Sequence, residues 1–258
     1  MTEPAEHLPA NALMNVALSE YDPRPADVLV FSAPWNQASG WIIKAATLSP
    51  FSHFAGVAMI EPSQLEAEVR RRKWPQKPDA VACALYRLLA HVGFERRMLL
   101  VESTTLCGEA CELTGQRHDG VQAHEPRRRL AAYLRSGGRA WLLRPTGDYA
   151  LQLNQVARLS EFLLRHLGAP YDFSQAALAG TRVLRRFCRV SDASLAAVFC
   201  SELWAAALEQ IRLLPLRNPS VFTPASLVRS LVELGSYRWV GEFSRGPGSK
   251  FQVRGSRS

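Results

Sequence analysis

The 258-residue sequence lacks the features that identify a membrane-spanning, secreted or repeat protein. No stretch approaches the roughly 20 consecutive apolar residues that a helix needs to cross a bilayer. The N-terminal segment is acidic where a secretory signal is basic, and Asn11, Asn15 and Glu20 interrupt its apolar residues. No internal repeat is visible. We therefore expect a cytoplasmic protein that is soluble or, at most, attached to a membrane surface.

Cysteine is too scarce and too irregularly spaced for a disulfide framework. The chain has five cysteines, at positions 83, 107, 111, 188 and 200. Small secreted scaffolds carry an even number of cysteines in a much shorter chain. The odd number therefore indicates mostly reduced thiols and a reducing compartment.

Acidic residues are too few to balance the basic ones. Lysine and arginine number 31 against 23 aspartates and glutamates, a net charge of +8, which favours anionic partners. The basic clusters Arg70–Lys73, Arg127–Arg129 and Arg182–Arg189 are typical of solvated faces. Phe187 and its apolar neighbours interleave with the last cluster, so peripheral contact with anionic lipid is an alternative. No recognition motif accompanies the charge, and we expect no nucleic-acid partner.

Hydrophobic residues make up 47% of the chain, which is enough for a sizeable core. Short β-branched and apolar segments predict an antiparallel sheet of about four to six strands. These segments are Asp27–Phe31, His53–Ile60, Met98–Ser103, Gly120–Ala123, Ala140–Arg144 and Tyr237–Phe243. Helical periodicity predicts helices in several other segments. They are Gln37–Thr47, Asp79–His91, Arg127–Leu134, a segment capped by Asp148 and ended by Gly168, Ser174–Cys188, and a segment that begins near Cys200. The pattern predicts an α+β fold, in which the sheet packs against helices.

The organisation along the chain follows from changes in composition. We interpret residues 1–24 as a lead segment, 25–245 as one domain, and 246–258 as a disordered basic tail. Residues 62–97 are rich in charge and proline, and we interpret them as an insertion into that domain.

Three residues have the chemistry of an activated nucleophile. Cys200 falls in the first turn of a predicted helix, where the helix dipole favours the thiolate, which is the nucleophilic form. His53 lies on a predicted strand, and Glu102 lies at the end of another, where the alternation of side chains puts it on the same face as Leu100. An imidazole that activates a thiol, and a carboxylate that orients the imidazole, complete a catalytic triad.

Four sequence blocks resemble the NlpC/P60 and papain-like superfamily in its circularly permuted form, and most of all the YaeF/YiiX-like group. The blocks are Ala26–Phe31 (ADVLVF), Ser49–Val57 (SPFSHFAGV), Gly168–Asp172 (GAPYD) and Cys200–Leu203 (CSEL). Together they span roughly residues 25 to 235, in the order expected of a permuted chain. Ala26 stands where the family has glycine, and Gly56 lies one place later than the family's usual glycine.

The resemblance implies a papain-like fold and a cysteine hydrolase of the amidase or peptidase type that needs no cofactor. Cys200 would be the nucleophile, His53 the base and Glu102 the residue that orients it. The backbone N–H of Cys200 would stabilise the oxyanion, with Tyr171 or Ser201 as the second donor.

Two other functions remain open. One is an acyltransferase or lipid acyl hydrolase related to the lecithin:retinol acyltransferase type. Across both enzyme hypotheses, the expected substrate is a peptide, another amide or an acyl lipid. The other is a catalytically inactive binding module that uses its basic surface.

A zinc site is a weaker alternative. Cys107, Cys111, His118 and His124 have zinc-ligating side chains, but the central loop is shorter than in zinc fingers, so we predict no metal.

Overall fold

The computed structural model describes residues 17–32, 49–73, 79–92, 94–105, 108–149, 151–172 and 199–243. Within these ranges, six strands form one antiparallel sheet in the order β4-β3-β2-β1-β5-β6. The strands are β1 (Val28–Ser32), β2 (His53–Ile60), β3 (Arg97–Thr104), β4 (Gly120–His124), β5 (Arg139–Pro145) and β6 (Tyr237–Phe243). Each lies within about two residues of its predicted position, and the α+β class is confirmed.

Six α-helices lie in the same described ranges. They are α1 (Pro62–Lys73), α2 (Ala80–Arg87), α3 (Pro126–Arg135), α4 (Leu153–Arg165), α5 (Cys200–Gln210) and α6 (Pro224–Glu233). The sequence analysis did not anticipate α1 or α6, and α2 passes into a π-helical turn at Leu88–Val92. The helices predicted at 37–47 and 174–188, the cluster Arg182–Arg189 and the tail at 246–258 fall outside the described residues. None of the helices within the described ranges is long and apolar enough to cross a membrane.

Alternating strand residues divide the core between the two faces of the sheet. On one face, Ala55 and Leu100 pack with Leu130 of α3. On the other, Phe54 and Leu99 belong to the larger cluster that includes the helices α4 and α5. Because side chains alternate along a strand, Glu102 in β3 belongs to the same face as Leu100. The sequence analysis predicted that Leu100 and Glu102 share one face of this strand.

The N-terminus of α4 differs from the prediction. Asp148 lies in a 3-10 turn (Gly147–Tyr149), and the helix instead begins after Gln152. The side chain of Gln155 accepts a hydrogen bond from the backbone N–H of Gln152 (3.0 Å). Asp148 therefore predicted the start of this helix four residues too early.

The basic cluster Arg70–Lys73 is not uniformly solvated. The side chain of Arg72 is only 9% exposed, and it pairs with Glu68. Its Nη2 donates hydrogen bonds to the carbonyl oxygens of Leu164, Arg165 and Leu167 at the end of α4. Helix ends leave such carbonyls without intrahelical partners, so a buried cation there is stabilising. Arg72 thus links α1, which belongs to the predicted insertion, to the C-terminal end of α4.

The N-terminal part of the domain extends before residue 25. Tyr21 is buried and packs edge-on against Phe243 in β6, with ring centroids 5.4 Å apart. Ala26 has a φ of +62°, the left-handed region that glycine adopts most readily. A glycine at this position would adopt the same conformation without steric cost.

Gly56 allows α5 to approach the sheet closely. An added Cβ would lie 2.6 Å from Cη2 of Trp204, well inside van der Waals contact. Trp204 is fully buried, and its Nε1 donates to the carbonyl oxygen of Val101 (2.9 Å). The indole therefore cannot move aside cheaply, and Gly56 sets the spacing between β2 and the helix that carries Cys200.

We predict that Gly56→Ala lowers the free energy of unfolding by about 1–3 kcal/mol, because the new methyl overpacks this contact. Denaturant unfolding measures the change. When Trp204→Phe is combined with Gly56→Ala, part of the free energy of unfolding lost in Gly56→Ala should return, since the smaller ring leaves room for the methyl. Gly147→Ala is the control, because no atom lies within 4 Å of its added Cβ. Equal stability of Gly56→Ala and the wild type would contradict the close contact.

Candidate functional site

The structure brings His53 and Glu102 into direct contact, although they are 49 residues apart. Nε2 of His53 lies 2.6 Å from Oε2 of Glu102, and both side chains are buried. His53 is the first residue of β2, and the neighbouring Ala55 pairs with Glu102 across the β2–β3 ladder. The antiparallel register therefore places the carboxylate beside the imidazole.

Cys200 lies against the same imidazole. It is the first residue of α5, and its sulfur lies close enough to His53 for its charge to raise the pKa of the imidazole. Since Glu102 engages Nε2, Nδ1 is the ring nitrogen left for the sulfur. Glu202 accepts a hydrogen bond from the backbone N–H of Phe199 (3.3 Å), which fixes the start of the helix. Three predicted residues thus form one continuous chain of contacts.

The sulfur of Cys200 has no direct exposure to solvent in this arrangement. Its relative exposure is 0%, and residues 200–208 of α5 are all buried. A substrate can reach the sulfur only after the covering residues move. The geometry therefore places the sulfur near the imidazole and buries it.

The electrostatics favour a protonated His53. Burial lowers the pKa of His53, but the negative charge of Cys200 and the contact with Glu102 outweigh burial and raise the pKa to about 9. A protonated imidazole beside a sulfur can stabilise negative charge on that sulfur. The same pair can return a proton to a leaving group during catalysis.

The second oxygen of Glu102 contacts a buried arginine. Nε of Arg129 lies 2.5 Å from Oε1, and the arginine is only 5% exposed. Nε2 of His124 is 3.7 Å from the same oxygen. Burial raises the pKa of Glu102, but the charge of Arg129 and the hydrogen bond with His53 hold it far below its usual range. The carboxylate is therefore ionised and can only accept hydrogen bonds.

Aromatic rings fix the orientation of the imidazole. The ring of Tyr133 lies parallel to that of His53, at 8° with centroids 6.2 Å apart, and also stacks on Phe31 at 4.3 Å. The guanidinium of Arg129 lies 5.2 Å from the centroid of Tyr133. Arg129 and Tyr133 are one helical turn apart, so α3 presents both to the site.

Tyr171 reaches the site through the turn after α4. The backbone of Val121 in β4 hydrogen-bonds with Ala169 (2.9 Å) and with Gly168 (3.0 Å). A Cβ at Gly120 would lie 2.0 Å from the carbonyl oxygen of Ala169, so only glycine permits this approach. Burial, and then the charges of Cys200 and Tyr133, raise the pKa of Tyr171, so its hydroxyl stays protonated and can donate.

Ser201 has a structural contact. Its hydroxyl donates to the carbonyl oxygen of Phe222 at 2.6 Å, and the side chain is fully buried. A hydroxyl has one proton to donate. In this arrangement the hydroxyl proton of Ser201 is already hydrogen-bonded to the loop before α6. Of the two side chains proposed from the sequence, Tyr171 is therefore the better candidate for an oxyanion donor.

The sequence analysis did not connect three neighbouring residues with His53 and Glu102. They are Arg129, Tyr133 and His124, the last of which it considered only as a zinc ligand. It interpreted Arg127–Arg129 as a solvated cluster, and this is wrong for Arg129. The signal was the helical period, because Arg129, Leu130 and Tyr133 share the buried face of a helix that begins at Pro126. Composition alone does not distinguish the buried Arg129 from its exposed neighbours.

A second cysteine–histidine pair lies in the loop between β3 and β4. Burial raises the pKa of Cys111, but the nearby His118 and a hydrogen bond from the backbone N–H of Ala123 (3.4 Å) outweigh burial and lower it. The zinc alternative had grouped these two residues with His124 and Cys107, of which Cys107 lies outside the described residues. Within the part of the chain that is described, no group of three or more His, Cys, Asp or Glu side chains is arranged to hold a metal ion.

Comparisons with known proteins give a distant structural likeness. No protein-family model matches the chain, and no curated protein matches it. The structure is similar to that of the metalloprotein yiiX from Escherichia coli O157:H7, with 15% sequence identity and a TM-score of 0.48. The match covers 87% of this chain and 100% of the other. A likeness at this level assigns neither a family nor an activity.

We predict that His53 titrates with a midpoint near pH 9, and that Cys200→Ala lowers the midpoint because it removes the facing negative charge. The unfolded value is about 6.5, so the stability from this protonation is complete below that pH and is lost as the pH rises through 9. NMR of ring-labelled histidine measures the midpoint, with the resonance assigned by its loss in His53→Gln. Cys83→Ala is the control. An unchanged midpoint in Cys200→Ala would contradict the contact.

Proposed function

We propose that this protein is a cysteine hydrolase of the amidase or peptidase type, with the circularly permuted NlpC/P60 and papain-like arrangement. The observation that supports the proposal most strongly is the meeting of His53 with both Glu102 and Cys200. These three residue types, in this chain of contacts, provide a nucleophile, a base and an orienting group. The chain order of histidine, carboxylate and cysteine agrees with the permuted sequence blocks.

The reaction begins with the thiolate of Cys200 and the imidazolium of His53. The sulfur attacks the substrate carbonyl carbon, and the electron pair of the C=O bond moves onto oxygen to form a tetrahedral oxyanion. His53 then donates its Nδ1 proton to the leaving amine, the C–N bond breaks, and an acyl-enzyme remains. Water gives a proton to the neutral imidazole and attacks the acyl carbon, and the C–S bond then breaks. This releases the carboxylic acid and restores the thiolate of Cys200 and the imidazolium of His53.

Two donors are available for the oxyanion. The backbone N–H of Cys200 lies at the start of α5, where the amides have no intrahelical partner and the helix dipole favours negative charge. Tyr171 provides a protonated hydroxyl from the turn after α4. Loss of one such donor typically slows catalysis by about 10²–10³-fold.

The alternatives differ from this proposal in defined ways. A lipid acyl hydrolase or acyltransferase would use the same Cys200 and His53, but an oxygen ester of a lipid would donate the acyl group. A binding module would need no reactive thiol at all. Reactivity of Cys200 therefore separates the binding module from both enzymes, and the acyl donor separates the enzymes from each other.

We predict that iodoacetamide alkylates Cys200 near pH 7 at least tenfold faster than Cys83, because thiolate rather than thiol reacts. His53→Ala should abolish the difference, since the facing imidazolium is lost. Peptide mapping by mass spectrometry with time gives a separate rate for each cysteine. The assay uses the Cys111→Ser chain as its parent, because the Cys111–His118 pair is a second source of reactive thiol.

The matched control is His118→Ala, which removes a histidine from the other pair and should leave the Cys200 rate unchanged. Equal rates for Cys200 and Cys83, or a Cys200 that stays unlabelled while the protein is folded, would overturn the proposal. The second outcome would mean that the residues covering the sulfur do not move, so no substrate could reach it.

A further inference from the structure

A buried guanidinium contacts the carboxylate of the proposed triad from the side opposite to the imidazole. Glu102 has two oxygens, and each has its own partner: Oε2 faces His53 at 2.6 Å and Oε1 faces Arg129 at 2.5 Å. Both Glu102 and Arg129 are almost completely removed from solvent. No sequence motif singled out this arginine.

The carboxylate needs a partner that stays cationic when His53 gives up its proton. A carboxylate in an apolar environment tends to take up a proton unless a cation or hydrogen-bond donors compensate for lost hydration. His124 lies 3.7 Å from Oε1, but burial lowers the pKa of His124, so at neutral pH it contributes no full charge. Arg129 is the buried neighbour that stays cationic at every relevant pH.

The protonation of Glu102 decides which nitrogen of His53 can act as a base. An ionised Glu102 accepts a hydrogen bond, so neutral His53 carries its proton on Nε2 and leaves Nδ1 free to take the thiol proton. A protonated Glu102 donates to Nε2 instead, and the imidazole then holds its proton on Nδ1. An imidazole protonated at Nδ1 cannot deprotonate Cys200.

We propose that Arg129 is a positioning residue, which keeps Glu102 an obligate acceptor and thereby fixes His53 in the tautomer that can activate Cys200. The inference rests on the proposed function, since the tautomer matters only if Cys200 is the nucleophile. Arg129 does not touch the sulfur and acts through Glu102. Its neighbour Tyr133, one turn along α3, holds the plane of the same imidazole.

The test measures the tautomer first. In a Cys200→Ala chain, ring nitrogen-15 shifts of neutral His53 distinguish a proton on Nε2 from one on Nδ1. We expect Nε2 protonation with Arg129 present, a shift towards Nδ1 protonation in Arg129→Met, and recovery of Nε2 protonation in Arg129→Lys, which keeps the cation. Nε2 protonation in Arg129→Met would overturn the proposal, and so would failure of Arg129→Lys to recover it.

The rate of Cys200 alkylation provides the second readout. We expect Arg129→Met to slow labelling by about 10²-fold, as a displaced base does. Arg128→Met is the matched control on the same helix, because Arg128 is half exposed and pairs with Glu109 and Glu112 rather than with Glu102. An Arg129→Met rate equal to that of Arg128→Met would overturn the proposal.

A double variant covers the case in which Arg129→Met fails to fold because Glu102 is left buried without a partner. Glu102→Gln with Arg129→Met leaves no unpaired buried charge. If Arg129 acts through Glu102, this double variant alkylates no more slowly than Glu102→Gln alone, and a further fall would overturn the proposal. If wild-type Cys200 proves unreactive, the proposed function fails, while the tautomer measurement, made without Cys200, still decides the role of Arg129.

Discussion

The site depends on one buried carboxylate that is shared between a histidine and an arginine. Removing Glu102 from water is costly, and the cost is offset only because each oxygen has a close partner. The same arrangement links the sheet to α3, since Glu102 belongs to β3 and Arg129 to the helix. A structural ion pair and an orienting contact for His53 are therefore the same interaction.

The antiparallel sheet makes this meeting possible. Strands that alternate in direction bring the end of β3, where Glu102 lies, beside the start of β2, where His53 lies. The helix α5 packs on the sheet so closely that Gly56 has no room for a side chain. That close packing sets the position of Cys200, the first residue of the same helix. The site thus lies where several secondary-structure elements begin or end.

Much of this arrangement could be predicted from the sequence. The period of two in His53–Ile60 and Met98–Ser103 located both strands and assigned Glu102 to the same face as Leu100. The helix start at Cys200 was also correct. These predictions succeeded because strand alternation and helical periodicity are local properties, which a short segment carries by itself.

The residues that were missed depend on contacts between distant segments. Arg129 and Arg72 each belong to a run of basic residues that is usually solvated, yet each is buried against a partner contributed by another part of the chain. The helix α1 was hidden by the same charge-rich composition. Long-range pairing of this kind leaves little trace in a single sequence, whereas the helical period at Leu130 and Tyr133 did mark the buried side of α3.

The central claim is that Cys200 accepts an acyl group with the help of His53, and trapping that acyl-enzyme tests it most directly. The protein would be mixed with a peptide amide or with phospholipid vesicles, quenched in acid, and mapped by mass spectrometry. The account predicts an acyl mass on the Cys200 peptide from the amide donor, and none in Cys200→Ser or His53→Ala. An adduct formed only from the lipid would indicate the lipid acyl chemistry instead. An adduct on another residue, or none from either donor, would contradict the account.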